Sequence, residues 1–201
     1  MASSERLTID ATVARDYLDS RREGHVHAVE LFALARKGEL ELAAAPQGYR
    51  LDAQGNLAEK LRATFATESV AVAPQLAYPS EVTYPSEDLF PGAYVEGFGE
   101  AWADVAATWR SHEGKPPEGA DRFHVETHVF HGRDIFLTDD RSLRVMCRRL
   151  YDEHSIPVVA LTPAEYLEAR SARHATGSLP ARCPAPGGER SGRRFLSRRM
   201  I

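Results

Sequence analysis

Two periods of hydrophobic and polar positions alternate along the chain. RLTID (residues 6–10) has the short apolar pattern of a strand, and ATVARDYLDSRREG then places Val13, Tyr17 and Leu18 at helical spacing until Gly24. HVHAVELFALARKG sets Val26, Val29, Leu31, Phe32, Leu34 and Ala35 on a broad apolar face that Gly38 closes. ELELAAAP (39–46) alternates acidic and apolar residues as a strand does, ended by Pro46 and Gly48. Residues 56–66 predict a helix and 69–76 a short strand. Helical periodicity resumes over 95–112, with Trp102, Val105, Ala106 and Trp109 on one stripe that reads as core. After a turn at EGKPPEG, the pattern predicts a helix over 121–132, a strand over 133–138, a helix over 139–155 and a strand over 157–161. A final helix opens at Thr162 as N-cap, with Pro163 at the first helical position and Glu165 two residues further on, the arrangement of a capping box.

Short strands separated by helices predict an α/β fold: a three-layer α/β/α sandwich around a mainly parallel sheet of four or five strands. Residues 77–95 interrupt the rhythm. They repeat YPSE at 78 and 84 and carry Pro79, Pro85 and Pro91, a density that forbids a continuous helix, so they read as an insertion loop.

A chain of 201 residues accommodates one domain with a substantial core, and 43% hydrophobic with 27% charged residues is ordinary for a soluble protein. No apolar run approaches the ~18 residues that span a bilayer, and MASSERLTID has no secretion signal, so no membrane is expected. Cys147 and Cys183 are far apart and suggest no disulfide framework, which points to a reducing cytoplasm. Charge is uneven. From Arg170 to Ile201 there are eight arginines against one glutamate, whereas residues 1–169 carry an excess of 11 acids. The expected organisation is an acidic domain over 1–169 and a basic, disordered Gly/Pro/Ser-rich tail over 170–201. The tail is either a solvated appendage or an arm for nucleic-acid phosphate.

In an open parallel sheet, sites form at the carboxyl ends of strands. Asp10 ends the first strand, Thr138, Asp139 and Asp140 end the strand of 134–138, and Asp121 opens the helix before it. Carboxylates converging without basic partners suit a hard divalent cation such as Mg²⁺ or Mn²⁺, which can activate water and polarise a phosphodiester. Each acid has a simpler reading as well. Asp10, Asp121 and either Asp139 or Asp140 would serve as a helix N-cap, with the remaining acid complementing the helix dipole.

IDATV (9–13) together with ADRFHVETHVFHGRDIFLTDDRSL (120–143) resembles the PIN-domain ribonuclease superfamily, in particular the VapC-type toxins of bacterial toxin–antitoxin pairs. Asp121, His124, Gly132, the apolar IFL (135–137), Thr138 and Asp140 follow that family's later motif in order and spacing, and Thr12 matches its small polar residue after the first Asp. The resemblance spans residues 6–168. It implies an endoribonuclease that holds one or two Mg²⁺ or Mn²⁺ ions on Asp10, Asp121 and Asp140, with Asp139 as a secondary or water-mediated ligand and Thr12 and Thr138 in support. It also implies RNA as substrate, an antitoxin protein as partner, and a homodimer as a further possibility.

One departure stands out. The family places a Glu on the helix after its second strand, and here the matching place falls near Leu51 and Asp52. Asp52 is the nearest acid, with Glu59 further along that helix and Glu30 on an earlier one. The alternative is therefore a catalytically degenerate PIN-like fold that binds RNA or protein. A phosphohydrolase of the haloacid dehalogenase type is disfavoured, because Thr12 stands where its second Asp belongs and Lys115 is the only lysine after Arg110. His124 and His128 are one helical turn apart but lack further zinc ligands and read as packing or surface residues, and no phosphate-binding glycine motif is present.

Overall fold

The computed structural model describes residues 4–45, 56–68, 70–72, 95, 97–117 and 119–176. Its strands are β1 (Glu5–Ile9), β2 (Leu40–Ala44), β3 (Ala71–Val72), β4 (Ile135–Leu137) and β5 (Ala160–Leu161). The α-helices among these residues are α1 (Ala11–Leu18), α2 (His25–Arg36), α3 (Asn56–Thr67), α4 (Phe98–Ala107), α5 (Gly119–Phe130), α6 (Arg141–His154) and α7 (Pro163–Thr176), with a 3₁₀ turn at Ser111–Glu113. Their order is the one that the hydrophobic pattern predicts.

All five strands are parallel, in the order β3-β2-β1-β4-β5. The central strand is β1, in register with β2 through Ile9 and Ala44 and with β4 through Ile9 and Leu137. From β1 the chain winds outward through β2 and β3, then returns to build β4 and β5 on the other side. The order reverses between β1 and β4, and in doubly wound sheets the carboxyl edge of that gap is where ligands bind.

Strand alternation sorts the core into two layers. Leu7, Ile9 and Leu137 face a cluster that includes Val13, Leu31 and Phe32 of α1 and α2, Leu61 and Phe65 of α3, and Tyr166 of α7. Phe136 faces the opposite cluster, with Phe98 and Trp102 of α4, Val125 of α5, and Met146, Cys147 and Leu150 of α6. Thr8 faces that second layer, where its hydroxyl lies 3.0 Å from His128 Nδ1. These two helical layers and the sheet make the three-layer α/β/α sandwich.

Charged groups fasten the amino edge. The guanidinium of buried Arg133 donates to the carbonyls of Leu7 and Glu41 and to the Glu41 carboxylate. Such charge-assisted bonds hold β1, β2 and β4 in register. Glu5 accepts from Tyr166 Oη at 2.6 Å and from Arg173 at 2.8 Å, and Arg170 reaches Glu39 at 2.8 Å. The last helix runs to Thr176, so Arg170 and Arg173 belong to the folded body rather than to the tail.

Several elements are shorter than the pattern predicts. Residues 11–24 do not form one helix; α1 stops at Leu18, and a turn in which Arg22 N–H donates to the Asp19 carbonyl leads into α2. At the start of α4, Gly97 holds φ +77, the left-handed region that favours glycine. At its end, the Thr108 hydroxyl bonds back to the Asp104 carbonyl, and Trp109 turns its indole N–H to the Gly114 carbonyl. Trp102 is buried in the core, as expected. Pairing by β5 begins late because the Val158 N–H turns back to the Ile156 carbonyl at 2.8 Å, and the first bond to β4 is from Phe136 N–H to the Val159 carbonyl. The capping box forms as predicted: Thr162 N–H donates to Glu165 at 2.8 Å and Glu165 N–H to Thr162 Oγ1 at 3.1 Å. Most of the 77–95 insertion and everything after Thr176 lie outside the described residues.

His128 sits fully buried between Thr8 and Phe136, and burial, reinforced by the Arg133 charge, pushes its imidazole down to about 3. The unfolded chain binds a proton there near pH 6.5, the fold only near pH 3. Stability from this group is therefore whole above pH 6.5 and drains away as pH falls from 6.5 toward 3, by up to about 1.4 kcal/mol per pH unit. Urea unfolding at pH 7 and pH 5 should show the wild type losing about 2 kcal/mol more than the never-charging His128→Gln variant. Equal losses would mean that His128 is not held neutral by its surroundings.

Candidate functional site

Where β1 ends, Asp10 N–H donates to the Leu137 carbonyl at 3.1 Å, which ties it to the end of β4. The buried carboxylate then serves two elements. Its Oδ1 caps α1, accepting Thr12 N–H at 2.6 Å, Thr12 Oγ1 at 2.5 Å and Val13 N–H at 3.3 Å. Its Oδ2 accepts the Thr138 hydroxyl. Thr138 Oγ1 also accepts Asp140 N–H at 3.0 Å, and Thr12 Oγ1 accepts Asp139 N–H at 3.2 Å. The two threonines thus join the carboxyl ends of β1 and β4 through a single carboxylate. Burial pushes the Asp10 carboxyl up from its usual range, while the charge of His124, the hydroxyls of Thr12 and Thr138 and the Val13 amide pull it back.

The adjacent aspartates have different surroundings. Asp140 caps α6, its Oδ1 accepting Leu143 N–H at 3.0 Å. Asp139 is exposed over much of its surface, yet its carboxyl end turns in toward Asp16 and Gly24. Burial, a hydrogen bond to Asp16 and the charges of Asp16 and Asp10 push Asp139 up to about 6, with Arg144 opposing. The hydrogen bond raises this value because protonated Asp139 is its donor.

Sequence reasoning missed Asp16. This acid is buried on α1, one turn after Thr12 and on the same helix face. Arg22 forms an ion pair with its carboxylate, and its main-chain carbonyl lies 2.9 Å from His25 Nδ1. The available signal was its position: an acid on a short helix four residues after Thr12. Gly24 is explained by the same contact. A Cβ there would sit 2.1 Å from Asp16 Oδ2 and 3.3 Å from Asp139 Oδ2, so only glycine lets the start of α2 approach the acid pair.

Asp121 lies in the first turn of α5. Burial, and then the negative charges of Asp10 and Asp121, push the enclosed Cys147 thiol up, so both acids act on one small region between α5 and α6. His124, fully buried two residues before Glu126, acts on Asp10 from the same helix. His124 and His128 are both fully buried. Asp52 lies outside the described residues, and Glu30 and Glu59 are exposed. Asp10, Asp139 and Asp16 are therefore brought together, Asp121 stands on the α5 side of Asp10, and Asp140 faces its own helix.

The donor set is carboxylate and hydroxyl oxygen, which suits Mg²⁺ or Mn²⁺ rather than a thiophilic metal. Among the described residues, no group of three or more His, Cys, Asp or Glu side chains is placed so that it could hold a metal ion. A cation at this edge would be held by a carboxylate pair and water molecules, the mode of binding that Mg²⁺ favours. Among the described residues, no helix is long and apolar enough to cross a membrane. No family model matches the chain, and no curated protein matches it.

The Gly24→Ala substitution should push Asp16 away from Asp139. Carboxyl-carbon NMR titration is expected to show the Asp139 midpoint falling from about 6 toward the ordinary value of 3.8. A midpoint that stays near 6 would show that the contact at Gly24 does not control the pair.

Proposed function

We propose that the chain is a metal-dependent endoribonuclease of the PIN type, cleaving RNA phosphodiesters with a metal-activated water. The observation that carries this reading is the gathering of Asp10, Asp16 and Asp139 at the carboxyl edge of the gap between β1 and β4. When bound, Mg²⁺ or Mn²⁺ would lower the pKa of a coordinated water and offset phosphate charge. Asp10 is oriented by Thr12 and Thr138, so its carboxylate cannot swing away from the edge. Asp139, with its carboxyl near 6, is ionised at neutral pH yet basic enough to take a proton from an attacking water. Arg22 orients Asp16 beside it. Asp121, on the α5 side, extends the negative edge. The resemblance to VapC-type toxins adds a protein antitoxin as partner.

A second reading, a non-catalytic PIN-like module that binds RNA or protein, draws on a specific observation: Asp10 and Asp140 both serve as helix caps, and among the described residues no group of three or more acids, histidines or cysteines is placed to hold a metal.

Calorimetric Mn²⁺ titration and cleavage of a mixed RNA pool separate the two. The wild type should bind Mn²⁺ and cleave. Asp10→Asn and Asp139→Asn, which keep the side-chain shape, should each lower cleavage by at least about a hundredfold and weaken Mn²⁺ binding. Asp140→Asn preserves the cap and should cost far less. A wild type that neither binds Mn²⁺ nor cleaves under any divalent metal sinks the nuclease and favours the binding module.

A further inference from the structure

β5 is the last strand of the described sheet, and β4 pairs with only one of its sides. Phe136 N–H donates to the Val159 carbonyl and Thr138 N–H to the Leu161 carbonyl, so both carbonyls face β4. Alternation turns the N–H and C=O of Ala160 the other way, to the open side, where they take no hydrogen bond among the described residues. A donor and an acceptor left side by side are what a further strand would use. The Val158 N–H is spent on the Ile156 carbonyl, and Pro157 has no N–H, so the open stretch is short and its register centres on Ala160.

A cavity of about 230 Å³ lies against this open side, between α6 and the start of α7. Arg144, Arg148 and Tyr151 line it from one face of α6, at the i, i+4 and i+7 positions. Glu165 is the acid of the lining, and it is held by its own helix start, accepting Thr162 N–H at 2.8 Å and Thr162 Oγ1 at 3.0 Å. Arg144 reaches Glu165 through one nitrogen, at 3.4 and 3.5 Å, while its Nε donates to no group among the described residues. Arg148 is exposed, and among the described residues it has no ion pair or hydrogen bond. Two guanidinium groups thus face one carboxylate, in a domain that carries an excess of 11 acids over residues 1–169. Val158 and Ala160 pack toward the α6 layer and Leu161 toward the α7 layer. A strand added at this side would continue that alternation, one set of its side chains meeting Arg144 and Arg148, the other lying beside Leu161.

An extended peptide offers a main-chain donor and acceptor to Ala160 and carboxylates to the arginines. A phosphate backbone would meet the arginines but has no N–H for the Ala160 carbonyl. We propose that the open side of β5 docks an extended acidic segment of a partner protein, which joins the sheet as a sixth strand, bonds main chain to main chain at Ala160 and sets alternate acidic side chains on Arg148 and Arg144. Strand addition here needs neither a metal nor RNA, so it stands independently of the ribonuclease reading.

The test titrates the full chain with an alternating threonine–glutamate heptapeptide blocked at both ends, followed by anisotropy of a labelled copy and by amide hydrogen exchange. The peptide should bind with Kd below about 1 mM. It should slow exchange at the Ala160 amide at least about tenfold, with little change at Leu161, which β4 already pairs. Arg148→Glu alters an exposed side chain, so it should leave the thermal melt unchanged and weaken binding at least about tenfold. Lys37→Glu, the same charge change on an exposed residue after α2, should leave binding unchanged. Methylation of alternate peptide nitrogens should abolish binding in one set and be tolerated in the other, because a strand shows alternate amides to each side. No binding up to about 1 mM overturns the site. So does tolerance of both methylated sets, which would leave charge attraction without strand pairing. Binding that Arg148→Glu leaves unchanged would assign the peptide to the arginine-rich segment after Thr176 and overturn the site, as would equal weakening by Lys37→Glu. An oligouridylate that binds through Arg148 without protecting the Ala160 amide, where the peptide does not bind, makes this a phosphate site and overturns the peptide assignment.

Discussion

The hydrogen bonds of Asp10 join the two central strands of the molecule. Its main chain bonds to Leu137, its Oδ1 starts α1, and its Oδ2 takes the hydroxyl of Thr138, which presents Asp140 to α6. A buried carboxylate is costly unless it is hydrogen-bonded, and here each oxygen has donors. Because β1 and β4 bring their following helices to opposite layers, the carboxylate also fixes where those layers meet. The edge of the sheet is thus negative and rigid for the same structural reason.

Beside Asp10 stands the Asp16–Asp139 pair. Asp16 and Asp139 approach one another because α2 starts at a glycine, because Arg22 offsets one charge and because Asp139 holds its proton to about pH 6.

The amino edge shows the contrasting use of charge. Arg133, Glu5, Arg170 and Arg173 are spent on strand carbonyls, on the Glu41 carboxylate and on docking α7. The fastening charges therefore gather at the amino end of the sheet, opposite the acids of its carboxyl edge.

Much of this was legible in the residues. Alternation in RLTID, the spacing of Val13 and Tyr17, and the Thr162–Glu165 capping box are local signals, and local signals decide element type and order. Asp10 and the Thr138–Asp140 run could be placed at strand ends for the same reason. Which of the two adjacent aspartates does what could not be read. The Thr-x-Asp resemblance favours Asp140 as the metal ligand and Asp139 as a helix charge or outer ligand, whereas in the structure Asp140 Oδ1 caps α6 and the Asp139 carboxyl lies beside Asp16. Asp16 was invisible for a related reason: its importance comes from Gly24 and Asp139, eight and 123 residues away, and no periodicity encodes a contact at that separation. The sequence by itself determined a parallel α/β sandwich with acids at its carboxyl edge, because helix and strand periods and strand-end positions are properties of neighbouring residues. The tertiary structure alone decided which carboxylates meet, because that depends on the angle at which α1, α2 and α6 leave the sheet.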